Sequence, residues 1–119
     1  KSIDYINQQL EQGKVVAIGV DMDPYHVANA APGIPNRYGT DHFVLITGRG
    51  VNEQGQNVFY FFENAVGSSK DNQGNYLGTS MSNQILPDQN LHYNSPLWDY
   101  NHDGKGEQGS VTWVKQNPQ

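Results

Sequence analysis

The sequence predicts an α+β chain: one short N-terminal helix followed by mostly antiparallel strands. Three observations carry this. Apolar residues near the start recur at helical spacing. Two later runs, around residues 42–48 and 57–63, are rich in β-branched and aromatic residues and flank a polar, glycine-containing turn. A last run, SVTWVK at 110–115, alternates as a strand does.

The helix lies in SIDYINQQLEQ, residues 2–12, with Ile3, Ile6 and Leu10 on one face. Ser2 is a natural N-cap and Gly13 a natural stop. Lys14 to Val20, KVVAIGV, reads as a buried strand. Residues 21–40 read as a loop punctuated by Asp23-Pro24, Pro32-Gly33 and Pro35-Asn36. So long a connection in a small domain is often functional. The strands at 42–48 and 57–63 flank VNEQGQN. A second polar loop, GSSKDNQGN, occupies 67–75. Residues 76–98 carry scattered apolar side chains without a clean period, and 99–109 are turn-like.

The 119 residues make a single domain, 1–119, of 35 % apolar composition and net charge -5. Small domains bury a modest share of their surface, so a partner covering part of the core fits this composition. An acidic surface argues against nucleic acid as a partner, because phosphates call for Lys and Arg. It argues equally against anionic membrane surfaces, and no apolar run approaches the ~20 residues that span a bilayer. The start shows no signal-peptide pattern. The chain opens on Lys1 rather than Met, which suggests a processed product or an excised or trimmed piece. Abundant Asn, Gln, Gly and Ser suggest a secreted or cell-surface bacterial protein. With no cysteine, neither a disulfide framework nor a thiolate metal site can exist.

The two central strands carry the chemistry. A turn centred on Glu53 sets Gly48 opposite Val58 and His42 opposite Asn64. Opposed residues share a face with Cβ atoms ~5 Å apart. A one-residue slip would send the two side chains to opposite faces. An imidazole beside an amide oxygen has a fixed ring and a fixed tautomer, leaving its second nitrogen to take a proton from a nucleophile. In this register Asp41 and Glu63 face away from the pair.

DHFVLITGRG resembles the segment around the catalytic histidine of papain-like cysteine peptidases. FYFFENAVG resembles the segment of their orienting asparagine, and GKVVAIGVDMD the strand ahead of the histidine. The preceding helix is similar to that of the bacteriocin-leader peptidases and bacterial amidase toxins. The resemblance covers roughly residues 2–67. It implies an antiparallel sheet lobe of papain-like type, with His42 as general base, Asn64 as its orienter and the 21–40 loop walling a cleft for a peptide-like substrate. It implies also that the chain is the C-terminal part of a larger thiol hydrolase and is inert alone, because the family's cysteine lies upstream. The thiol would come from a missing N-terminal segment or from a second chain. A non-catalytic relative that binds a protein partner is the other reading.

No cofactor is expected. DYNHDGKGE spaces Asp99, Asn101, Asp103, Gly104 and Glu107 as a calcium loop opens, but Ser110 stands where a bidentate Glu belongs. The simpler reading is a polar turn. Asp21, Asp23 and His26 fit no metal spacing, and no serine sits in a nucleophile elbow. Trp98 and Trp113, with Tyr93 and Tyr100, make either an aromatic binding surface or, as such residues more often do, core of the closing strands.

Overall fold

The computed structural model describes residues 2–22, 42–87, 91–100, 102 and 104–115. Helix α1 spans Ser2–Glu11. It turns the Ile3, Ile6, Leu10 face inward, with Ile6 fully buried and Ile3, Tyr5 and Leu10 packed around the core. Its end is set by two backbone bonds, Gly13 N–H to Leu10 C=O and Lys14 N–H to Gln9 C=O. That pair closes a Schellman motif, and Gly13 takes the left-handed conformation it demands, φ +75°. Ser2 is the first helical residue rather than the cap.

Strand β1, Val16–Met22, pairs antiparallel with β2, His42–Val51. β2 alternates buried and exposed residues through Phe43, Val44, Leu45 and Ile46, the pattern of a strand with one face on a core. β3, Asn57–Phe62, returns beside it. The turn between them is organised by Asn52, whose side-chain oxygen accepts the N–H groups of Gln54 and Gln56. Two short strands follow, β4 at Gln84–Leu86 and β5 at His92–Ser95. β6, Glu107–Val114, pairs with β5 on one side and β1 on the other.

That last pairing corrects the expected α+β sheet lobe of papain-like type. The chain is a closed six-stranded antiparallel barrel, in the order β1-β2-β3-β4-β5-β6, with one short helix. The expectation failed at residues 76–98 and 99–109. β4 and β5 are three and four residues long, too short to show a period of two, and β6 begins at Glu107 rather than 110. Closure removes both sheet edges.

The interior is filled by side chains from β1 to β5, with Val111 and Val114 of β6 packed against them. Val16, Ile18, Val20, Met22, Val44, Ile46, Phe59, Phe61, Ile85 and Tyr93 join Ile6 in one cluster. No helix among the described residues is long and apolar enough to cross a membrane. The expected 21–40 loop lies outside the described residues beyond Met22, which itself ends β1.

Candidate functional site

The helix and the site occupy opposite ends of the barrel. Where β2 finishes, the Arg49 guanidinium donates to the Asn7 side chain of α1, at 2.7 Å. Where β2 begins, His42 faces inward, on the same side of the strand as Val44 and Ile46. It pairs with Val20 of β1, and its side chain keeps 14 % of its surface exposed.

The register of the β2–β3 hairpin decides which residue His42 meets. Near the turn, Val51 pairs with Asn57, Gly50 with Val58 and Gly48 with Tyr60. Between Ile46 and Gly48 the register shifts, because Thr47 is an extra residue in β2. Beyond the shift Ile46 pairs with Phe61 and Leu45 with Phe62. The expected pairs are not formed, for two reasons: the turn is centred on Gln54 rather than Glu53, which sets Gly48 against Tyr60 instead of Val58, and the bulge beyond it removes the parity that would put His42 and Asn64 on one face. A bulge of one residue exchanges the faces that two strands share. It brings Glu63, not Asn64, to the face of His42.

His42 Nε2 lies 2.7 Å from Glu63 Oε2. Glu63 is fully buried. It directly follows β3 and caps a 3-10 turn at Asn64–Val66, its side chain accepting the Ala65 N–H at 3.2 Å. Its other oxygen, Oε1, accepts the Tyr93 hydroxyl. Its own N–H donates to the carbonyl of Gly78 at 2.8 Å. That carbonyl also accepts the Asn83 side-chain amide, at 3.1 Å. Asn64 is exposed at the start of the 3-10 turn and makes no hydrogen bond to His42.

The electrostatics follow from this geometry. Burial alone would push the Glu63 carboxyl up. The hydrogen bonds from His42 and Tyr93, the charge on His42 and the Ala65 N–H together outweigh burial and hold it below its ordinary value. Tyr93 moves the other way. Burial first, then the Glu63 charge and its hydrogen bond, and further the Glu107 charge, push its phenol far up, so it remains a neutral donor. An ionised Glu63 can only accept. Nε2 of His42 must then carry a proton, and in the neutral ring Nδ1 is the basic nitrogen.

Aromatic rings enclose the imidazole. Trp98, half-buried after β5, stands 4.6 Å from His42 between ring centroids, tilted by 39°. Tyr93 meets His42 edge-on at 6.1 Å and stacks on Phe61 at 4.9 Å. Of the four aromatics weighed as strand core or binding surface, Tyr93 is fully buried in the core, Trp98 packs against it half-buried, and Tyr100 and Trp113 are exposed. Trp98 covers the histidine, while Trp113 lies exposed against Phe43 on the outer wall. Nothing local in the sequence marks Glu63, Tyr93 or Trp98 as neighbours of His42.

Comparisons with protein-family models, with curated proteins and with solved structures return no match to this chain.

Of the candidate calcium ligands, two lie among the described residues. Asp99 accepts the Gly104 N–H at 2.8 Å, closing a polar turn, and Glu107 is buried in β6, registered against Ser95. Asn101 and Asp103 lie outside the described residues, as do Asp23, His26 and Asp41. Among the described residues no three His, Asp or Glu side chains gather as a metal site.

The arrangement of His42 and Glu63 is one that can act as an acid–base pair. An oriented imidazole offers Nδ1 to a nucleophile or leaving group, while Glu63 stabilises the imidazolium that forms. The sequence contains no cysteine to serve as that nucleophile.

Proposed function

We propose that this chain is the histidine-bearing half of a papain-like thiol hydrolase, which cleaves a peptide or amide bond in a protein or a peptidoglycan stem. His42 is the general base and Glu63, in place of the expected amide of Asn64, is its orienter. The thiol is supplied by a Cys-bearing segment or a second chain. The likeness to papain-like enzymes rests on the segments around His42 and Glu63 and on this division of labour, not on the barrel. The observation that carries the reading is the 2.7 Å contact of His42 Nε2 with a buried carboxylate, which leaves Nδ1 for the thiol. A thiolate–imidazolium pair is the activated state of such enzymes.

A second reading, a non-catalytic module that binds a protein partner, is favoured by one feature. Phe43, Leu45 and Trp113 are exposed on the outer wall formed by β1, β2 and β6. Both readings meet the same test. The coding sequence around this segment is read for a cysteine at a helix start, the completed protein is expressed, and hydrolysis of peptide and cell-wall amide substrates is followed with and without a thiol alkylating agent. Alkylation-sensitive turnover that falls by about 100-fold or more in His42→Ala supports the hydrolase. Unchanged turnover in His42→Ala rejects His42 as base, and partner binding without turnover selects the module.

A further inference from the structure

A glutamate is a demanding orienter. It has three side-chain torsions to fix, and ordering them costs entropy that a shorter amide does not lose. One hydrogen bond, donated by His42 Nε2 to Oε2, leaves the carboxylate free to rotate about its last bond. Rotation would put the His42 N–H out of line and let the ring settle in either tautomer.

Two contacts beyond His42 limit that freedom. Oε2 also takes the Ala65 N–H, and Oε1 takes the Tyr93 hydroxyl. Of the two, only Tyr93 holds the far oxygen, and so only Tyr93 fixes the plane of the carboxylate. Tyr93 is itself immobilised. It is fully buried on β5, between β4 and β6, with its ring stacked on Phe61. Hydrogen bonds to ionised groups are the strong ones, and in a buried network each polarises the next.

We propose that Tyr93 is a positioning residue for the His42 base: by donating to Glu63 Oε1 it turns Oε2 toward Nε2 and so keeps Nδ1 as the basic nitrogen of the ring. This rests on the reading of His42 as base and Glu63 as its orienter. Tyr93 acts only through Glu63 and touches no reacting atom.

The test uses the 119-residue chain labelled with ¹⁵N-histidine, with the His42 ring resonances identified by their loss in His42→Ala. With the imidazole neutral, the ¹⁵N shifts report which nitrogen carries the proton. The wild type is expected to hold the Nε2–H form. In Tyr93→Phe, which keeps the ring on Phe61, the Nδ1–H form is expected to rise roughly five-fold, while the other histidines do not change. A folded Tyr93→Phe chain with the wild-type tautomer ratio overturns the proposal. Should Tyr93→Phe not fold, 3-fluorotyrosine at position 93, close to isosteric and a stronger donor, decides instead. A shifted His42 Nε2 resonance supports the proposal and an unmoved one overturns it. Glu63→Met separates this proposal from the reading beneath it. A tautomer ratio unchanged in Glu63→Met removes Glu63 as orienter and both ideas with it. A ratio that changes there but not in Tyr93→Phe removes Tyr93 alone.

Discussion

His42 and Glu63 meet just beyond the last rung of the β2–β3 ladder, Leu45 against Phe62, with Nε2 2.7 Å from Oε2. The neighbouring Asn64 is exposed. The two adjacent residues should therefore respond very differently to truncation. Asn64→Ala is expected to change stability by no more than about 0.5 kcal/mol, as exposed substitutions do. Glu63→Ala leaves the Tyr93 hydroxyl, the Ala65 N–H and the His42 ring without their acceptor, and is expected to cost about 3 kcal/mol. Urea unfolding of the two variants measures the difference. Equal midpoints would show that the buried carboxylate does not hold this end of the barrel.

The same carboxylate predicts how stability varies with acid. Its folded pKa lies below the ordinary value, because its hydrogen bonds and the His42 charge outweigh burial. The unfolded chain therefore takes up this proton at a higher pH than the folded one does. The contribution of Glu63 is fully present above the ordinary carboxylate range and is lost as pH falls through the depressed folded value. Denaturant midpoints of wild type and Glu63→Gln should converge as the pH is lowered across that window. A gap that stays constant on acidification would contradict the ionised assignment.

The parts of this architecture that sequence made legible are those with local signatures. Ile3, Ile6 and Leu10 mark α1, and Gly13 marks its end. The alternation from Phe43 to Ile46 marks β2 and turns His42 inward. The barrel itself was not legible, because closure depends on pairing β1 with β6, more than 80 residues apart in register pairs such as Val20 with Val111. Glu63 was hidden by Thr47. One extra residue in β2 reverses the parity that relates the two strands, and no composition rule announces a bulge inside a run such as LITGRG. Tyr93 and Trp98 were hidden for a third reason. Each is an ordinary core residue by type, and only the return of β5 beside β4 and β6 brings them to the histidine.

Gly78 is expected to be intolerant of a side chain. A Cβ there would lie 2.7 Å from the Gly67 Cα and 2.8 Å from the Glu63 carbonyl oxygen, both backbone atoms that cannot swing away. The Gly78 carbonyl also receives the Glu63 N–H. Gly78→Ala should therefore cost about 1–3 kcal/mol through overpacking and displace Glu63 from His42 in the same step. Thermal unfolding reads the first effect, and the His42 ring ¹⁵N shifts read the second. Gly55→Ala is the control, since it adds left-handed strain at φ +77° but meets no atom within 4 Å. It should cost about 1 kcal/mol and leave the His42 resonances in place.

Trp98 offers an optical report on the imidazole it covers. Its ring lies 4.6 Å from that of His42, within the range of an interacting aromatic pair. Trp113, exposed on the outer wall against Phe43, contributes a background that Trp113→Phe removes. In that variant the emission comes from Trp98, half-buried over the histidine. Adding His42→Ala removes the ring it packs on, so the emission maximum should move to the red and acrylamide should quench Trp98 more readily. An emission maximum and a quenching slope unchanged by His42→Ala in a folded chain would mean that the indole is not a roof over this histidine.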